Sequence, residues 1–349
     1  MQVTEKLRQV LALRLLKSMG GKTFQDGLTA FGSVEAFLRS KARQVNWPAV
    51  DKEIELAARH GVEIIPCFDE RYPVLLREVF DPPIALYVKG RLPEDSATWL
   101  AVVGSRDASW QGLRTASTIS KELAASGAVV VSGLARGIDG AAHRGALEGR
   151  GLTVAVLGNG LADVYPPENR KLAGEILARG ALVSEFPMET APLKMNFPMR
   201  NRIISGLSRA VVVVEAREKS GALITVDCAL EQGREVYVFP GDAGSKRAFG
   251  SNDLLKQGAK PATSAEDILR DFGLSKKKAK AAAAKQAPSL NAEEKALLRL
   301  LKQTESLHVD QIVEKSVLSP QQTMTLLTTM AVKGVVRELP GKYFAEAAS

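Results

Sequence analysis

Between residues 100 and 239 the chain carries six short runs that are apolar almost without a break: Leu100–Val103, Ala128–Val131, Leu152–Leu157, Ala181–Val183, Ala210–Val214 and Val236–Phe239. A strand with one wet face alternates apolar and polar positions; a strand of a parallel sheet covered on both faces reads as a continuous run instead. Helical stretches such as Leu113–Ser126 and Asn169–Ala178 lie between the runs, so the pattern predicts a βαβ series and a twisted parallel sheet. In such a sheet the ligand crevice lies outside the carboxyl ends of the strands. Upstream, Pro82-Pro83 fixes extended backbone before Ile84–Val88, which reads as an added edge strand.

The flanks follow a different period. Over residues 1–62 the spacing of Leu7, Val10, Leu11, Leu15 and Leu16, then Phe24, Leu28, Phe31, Val34, Phe37 and Leu38, predicts a small domain of short helices. Its reading stays open between a DNA or protein contact and a packing cap on the central domain. The central domain is expected over residues 63–272. An Ala/Lys-rich segment at 273–288 cannot bury apolar surface and reads as a linker. Residues 289–345 then read as three helices, Ala292–Lys302, Val309–Ser316 and Pro320–Lys333, and a hairpin turning at Pro340-Gly341. That is the winged-helix arrangement. Its third helix is rich in Thr and Gln and carries one lysine, Lys333, so a protein contact or a weak DNA contact fits it better than sequence-specific regulation.

Three motifs fall at the predicted strand ends: Gly104-Ser105-Arg106, Ser132 to Asp139, and Phe197 to Arg202. Gly104 allows close backbone approach, the helix starting near Gln111 offers amides to an anion, and Arg106 adds a planar fork for phosphate. Gly133 and Gly137 suit a concave anion nest, with Asp139 as the cap of the helix that holds His143. Lys194, Asn196, Phe197, Arg200 and Arg202 mix cations with an aromatic face on which a base can stack. Ser220-Gly221 and Thr225 open another helix at a strand end, a further phosphate seat or a plain N-cap. Neither Asp139 nor His143 has a partnering nucleophile or second carboxylate at a telling spacing, so no catalytic residue is assigned.

Charge matters only because it is clustered. The 349 residues carry a formal net charge of +8 and a pI near 9.4, a balance that favours a polyanionic partner where arginines gather. Two cysteines, Cys67 and Cys228, stand far apart with no metal-ligand spacing, which points to a reducing cytoplasm with neither a disulfide scaffold nor a zinc site. No run approaches the roughly 20 apolar residues needed to cross a bilayer, and charges break the first segment.

In this order the motifs resemble one family, DNA-processing protein A, also called DprA or Smf. The likeness runs from about Asp69 to Leu269 and includes Asp69-Glu70-Arg71-Tyr72-Pro73, Val156-Leu157-Gly158-Asn159-Gly160, Tyr165-Pro166, Val214-Glu215-Ala216 and Ser220-Gly221-Ala222-Leu223-Ile224-Thr225. The resemblance implies an α/β fold, an extended Rossmann-like parallel sheet flanked by the N-terminal helical domain and the winged helix. It implies single-stranded DNA binding through Gly104, Ser105, Arg106, Ser132, Gly133, Ala135, Gly137, Arg200, Asn201 and Arg202. It also implies a homodimer, mapped to Leu254 and Leu255, and loading of RecA during natural transformation. One departure is Pro167, which stands where many members carry a DNA-contacting lysine; Arg170 or Lys171 is the available substitute.

Two other classes compete, an enzyme and a gene regulator. Lysine-decarboxylase-like phosphoribohydrolases share the strand-end glycine logic, but their Pro-Gly-Gly-x-Gly-Thr signature is broken here at Pro240-Gly241-Asp242. A nicotinamide dehydrogenase fits less well still, because Gly158-x-Gly160 lacks the third glycine and follows a late strand. A winged-helix regulator would leave the central domain without a task. The expectation is therefore a cytoplasmic, non-catalytic mediator without cofactor, which protects incoming single strands and hands them to RecA.

Overall fold

The computed structural model of the chain describes residues 5–17, 19–274, 291–302, 304, 306–316, 318–333, 335–339 and 341–346. It divides into two compact units, Met1–Lys276 and Lys277–Ser349. The linker expected at 273–288 falls outside the described residues from position 275 onward, as does Pro340 of the expected hairpin turn.

The first unit opens with helices α1 (Glu5–Arg14), α2 (Gly21–Phe31), α3 (Val34–Ser40) and α4 (Trp47–Arg59). Strand β1 (Val62–Pro66), the short helix α5 (Val74–Arg77) and β2 (Ala85–Gly90) follow. The βαβ series then runs β3 (Trp99–Val103), α6 (Trp110–Ala125), β4 (Val129–Ser132), α7 (Ile138–Glu148), β5 (Leu152–Val156), α8 (Arg170–Leu177), β6 (Gly180–Ser184), α9 (Asn196–Gly206), β7 (Ala210–Val213), α10 (Gly221–Glu231), β8 (Glu235–Val238), α11 (Phe249–Lys256), β9 (Lys260–Pro261) and α12 (Ala265–Asp271).

All nine strands join one sheet in the order β1-β2-β6-β5-β4-β3-β7-β8-β9. From β6 to β9 every neighbouring pair is parallel. Successive residues point to opposite faces, so Ala101 and Val103 enter the apolar layer beneath α9 and α10, while Leu100 and Val102 enter the layer beneath α6, α7 and α12. Both sets are almost completely buried. This two-sided burial is why the strands carry no polar alternation.

The segment Ile84–Val88 is not an edge strand. β2 lies inside the sheet, antiparallel to β1 on one side and to β6 on the other, so the sheet is mixed at that end and the outermost place belongs to β1. Helices α1 to α4 share an apolar cluster with α8 and with Tyr87, Ala155 and Leu182 of the sheet. Leu254 of α11 is buried and Leu255 half-buried, both against the cluster under α9 and α10.

The second unit holds helices α13 (Ala292–Leu301), α14 (Val309–Lys315) and α15 (Pro320–Val332) and strands β10 (Leu307–His308), β11 (Val336–Leu339) and β12 (Tyr343–Glu346), in the sheet order β10-β12-β11. Leu297, Leu301, Ile312, Leu327, Met330 and Phe344 close its core. The two-residue strand β10 adds a third member to the expected hairpin, too short to leave a periodic signal. No helix among the described residues is long and apolar enough to cross a membrane.

Candidate nucleic-acid interface

A groove of about 740 Å³ opens at the carboxyl ends of β3 and β7 and against the first turns of α9 and α10. Its floor begins where β3 ends. The Ser105 amide donates to the Glu215 carbonyl (2.7 Å) and the Ile138 amide donates to the Ser105 carbonyl (3.2 Å), so two loops are laced together. Gly137, with φ at +74°, makes that lacing possible: a Cβ there would stand 2.2 Å from the Ser105 carbonyl oxygen. Arg106 emerges from this floor exposed, its guanidinium carbon 5.1 Å from the centroid of Phe197. The Tyr165 ring sits 5.7 Å from the Phe197 ring. Two aromatic faces and a cation therefore meet at one place.

Beneath them lie two buried opposite charges, Arg200 and Asp139, that influence each other without direct contact. Arg200 is only 3% exposed. Its Nη1 donates to the carbonyl of Gly133 (2.7 Å) and to that of Val156, and its Nε donates to Asn201 Oδ1 (3.2 Å). Burial pulls the guanidinium down to about 10, against the pull of Asp139, so it remains cationic at neutral pH. Asp139 is held above the usual carboxylate range by the same burial, offset by Arg200 and by backbone donors. Its Oδ2 accepts from the Gly133 amide (3.1 Å). The carboxylate thus closes the loop after β4, and the expected N-cap role on α7 falls instead to Gly137. A Cβ on Gly133 would lie 2.6 Å from Arg200 Nη1, so the guanidinium occupies the space that a side chain would fill. His143 is fully buried, with Nδ1 2.7 Å from Thr153 Oγ1. Burial, with Arg144 and Arg200 nearby, lowers it to about 3 and keeps the ring neutral.

The sequence-predicted residues separate into three groups. Gly104, Ser105, Arg106, Ala135, Lys194, Phe197, Ser220 and Gly221 line the groove, and Arg200, Asn201 and the buried Thr225 form its floor. Asn201 donates to the Gly221 carbonyl (3.1 Å), which ties α9 to α10. Ser220 accepts from the Ala222 amide and so caps α10. Ser132, Gly133 and Gly137 stand behind the wall: Ser132 is buried and its hydroxyl donates to the Val102 carbonyl (2.7 Å). Arg202 faces away. It bridges Glu185 (2.7 Å) and Asp81 (3.2 Å) in a second cavity of about 490 Å³, between the N-terminal helices and α9.

The start of α6 does not present open amides either. Ser109 Oγ accepts from the Gly112 amide (2.9 Å), and the Glu215 carboxylate accepts from the Ser109 amide (2.9 Å) and hydroxyl (2.5 Å). The chain's own anion fills that helix terminus. Sequence reasoning also left Tyr165, Arg217 and Lys219 out of the groove. Arg217 and Lys219 alternate with Glu215 and Glu218, a pattern that reads as an ordinary solvated loop. Of the proposed substitutes for a cation at Pro167, Arg170 is engaged by Asp163 (2.9 Å), whereas Lys171 is exposed. No group of His, Cys, Asp and Glu suited to hold a metal occurs among the described residues.

The arrangement gives phosphates a few cations and bases a stacking surface, with no placed nucleophile. Comparison with known proteins agrees on its lineage: the family described as DNA recombination-mediator protein A matches residues 63–273. The chain belongs to that family. The match takes in the whole groove and leaves out α1 to α4, and a DprA winged helix domain matches residues 281–342. Protein Smf of Escherichia coli is 46% identical over 255 residues, covering 72% of this chain and 66% of its own. DNA processing protein DprA of Bacillus subtilis is 41% identical over 238 residues, covering 68% and 80%. Among solved structures, DNA processing protein A from Streptococcus pneumoniae superposes with a TM-score of 0.67 at 33% identity, over 77% of this chain and 98% of that one. DNA processing protein A from Helicobacter pylori, described for its single-stranded DNA binding mode, gives a TM-score of 0.55 at 29% identity, over 60% and 95%. Of these two relatives and two solved structures, three are named for DNA processing.

Proposed function

We propose that the groove binds single-stranded DNA and that the protein is a recombination mediator, protecting incoming strands in the cytoplasm and passing them to RecA without chemical turnover. The observation that carries this reading is the meeting of Arg106, Phe197 and Tyr165 at the mouth of a groove with Lys194 and Lys219 on its wall. Stacking tolerates any base, because every base has a π-face, and the cations follow the backbone. The single-strand binding described for the Helicobacter pylori relative supports it. The buried, neutral His143 argues against a general base.

The test is a titration with labelled single- and double-stranded oligonucleotides over a range of salt, with nucleoside monophosphates assayed in parallel. Preference for single strands without base release is expected. Release of a base from a nucleoside monophosphate would instead favour the phosphoribohydrolase reading. For assembly, α11 offers one buried and one half-buried leucine. Leu255→Arg is expected to give a folded monomer and Leu254→Arg an unstable chain. Light scattering that finds both variants dimeric would exclude this patch.

A further inference from the structure

Three residues past the groove residue Asp107, the first residue of α6 is a tryptophan that the fold does not use. Trp110 is 73% exposed and belongs to none of the apolar clusters. Arg114, one turn further along the helix and also exposed, holds its guanidinium carbon 5.4 Å from the indole centroid. No carboxylate pairs with Arg114 among the described residues. Asp107 itself is engaged by Arg217, on the groove wall, and by Arg247 at 3.7 Å. The rim between the groove and Trp110 therefore carries a surplus of arginine. Glu215, which reaches the start of α6, is committed to Ser109.

The same combination recurs at the groove mouth, where Arg106 stands over Phe197. We infer that Trp110 and Arg114 form a second base-stacking platform, which carries a bound single strand beyond the groove along the start of α6. The inference rests on the reading of the groove as a single-strand site. Reach supports continuity: three residues of chain span at most roughly 11 Å, a length that about three nucleotides cover at a stacked rise of 3.4 Å. A strand whose bases lie on Phe197 and Tyr165 meets the indole only if it is longer than the groove. Leaving so large an apolar face in water has no structural return, and an incoming base would cover it.

The test uses the full chain with oligothymidylates of about 4 and about 16 nucleotides, the range of footprints of single-strand-binding grooves. Trp99 is buried and Trp47 half-buried beside Arg8, so Trp110 is the strongly exposed indole. The longer oligonucleotide should quench its emission, and the quench should be missing in Trp110→Phe. Trp110→Ala should weaken binding of the longer strand roughly tenfold, the size of one stacked base, and leave the shorter one within about twofold. Trp110→Phe should keep most of the affinity, and neither variant should change the melting temperature. If the unmodified chain binds the longer strand but shows no quench, or Trp110→Ala binds it equally well, the platform is wrong and the groove reading stands. Equal weakening for short and long strands would also overturn it. Failure of the unmodified chain to bind either oligonucleotide would remove both.

Discussion

Helix α9 separates two cavities that both hold arginines and differ in what those arginines are free to do. On the groove side, Arg106 lies over an aromatic ring, and Lys194 and Lys219 line the wall, with no carboxylate in ion-pair range among the described residues. On the side of the N-terminal helices, Arg202 is held between Glu185 and Asp81, and Arg14 donates to the Glu185 carbonyl at 2.9 Å. Burial pushes Glu185 up, and Arg202 and Arg14 resist that shift. Arg200 belongs to neither class. It lies under the groove as a fixed internal cation that holds two carbonyls and balances Asp139. Three arginines from two motifs thus do three different things, and of these Arg106 is the one available to a phosphate.

The largest effect that would sharpen this contrast is expected at Arg200. Arg200→Ala removes the cation that offsets the buried Asp139, leaving it only its hydrogen-bond donors, and leaves two carbonyls without their guanidinium donor, at a cost of about 3–5 kcal/mol. Denaturant unfolding checks it. A variant as stable as the parent would return Arg200 to the candidate phosphate ligands. Arg202→Ala should cost about 1–3 kcal/mol, because Glu185 loses its hydrogen-bonded partner while Arg14 remains near. The slope of log affinity against log salt should stay unchanged. A shallower slope would mean that Arg202 reaches the DNA after all.

His143 reports on the floor through pH. The folded protein keeps its ring neutral down to about 3, whereas an unfolded histidine takes up a proton below its ordinary 6.5. The unfolded state therefore binds more protons in that window, and stability falls as pH is lowered, by up to about 1.4 kcal/mol per pH unit. Urea melts of the parent and His143→Leu between those values measure the difference; parallel pH profiles would exclude it. The smallest effect on the fold, and the most informative for binding, is expected from Arg106→Ala. Stability should change by no more than about 0.5 kcal/mol, while the salt slope for single strands should become shallower by roughly 0.7. An unchanged slope would break the comparison between the two cavities.

The strands of the parallel region were legible because two-sided burial leaves a local trace. Leu100–Val103 and Ala210–Val214 match β3 and β7 to within a residue at either end. The position of β2 was not legible, since strand order depends on pairing with β6, nearly a hundred residues away. Motif reading brought most candidate residues to the groove, and it could not rank them. Nothing in the string Arg200-Asn201-Arg202 announces the helix α9 that sends residues two apart to opposite sides. Glu215 had no local signal as the anion at the start of α6, because its partner Ser109 lies 106 positions earlier.

The antiparallel place of β2 also sets a timetable. Gly90 pairs with Ala181 and Tyr87 with Ser184, while β3, near the middle of the sheet, pairs with β7 through Leu100 and Ala210. At a synthesis rate of about 5–20 residues per second, β2 has been made for roughly 5–20 s before β6 leaves the ribosome. During that interval the nascent chain holds Val- and Leu-rich strands whose neighbours do not yet exist. β4 and β5 can pair as they emerge, but the join that brings the N-terminal helices onto the sheet must wait for β6.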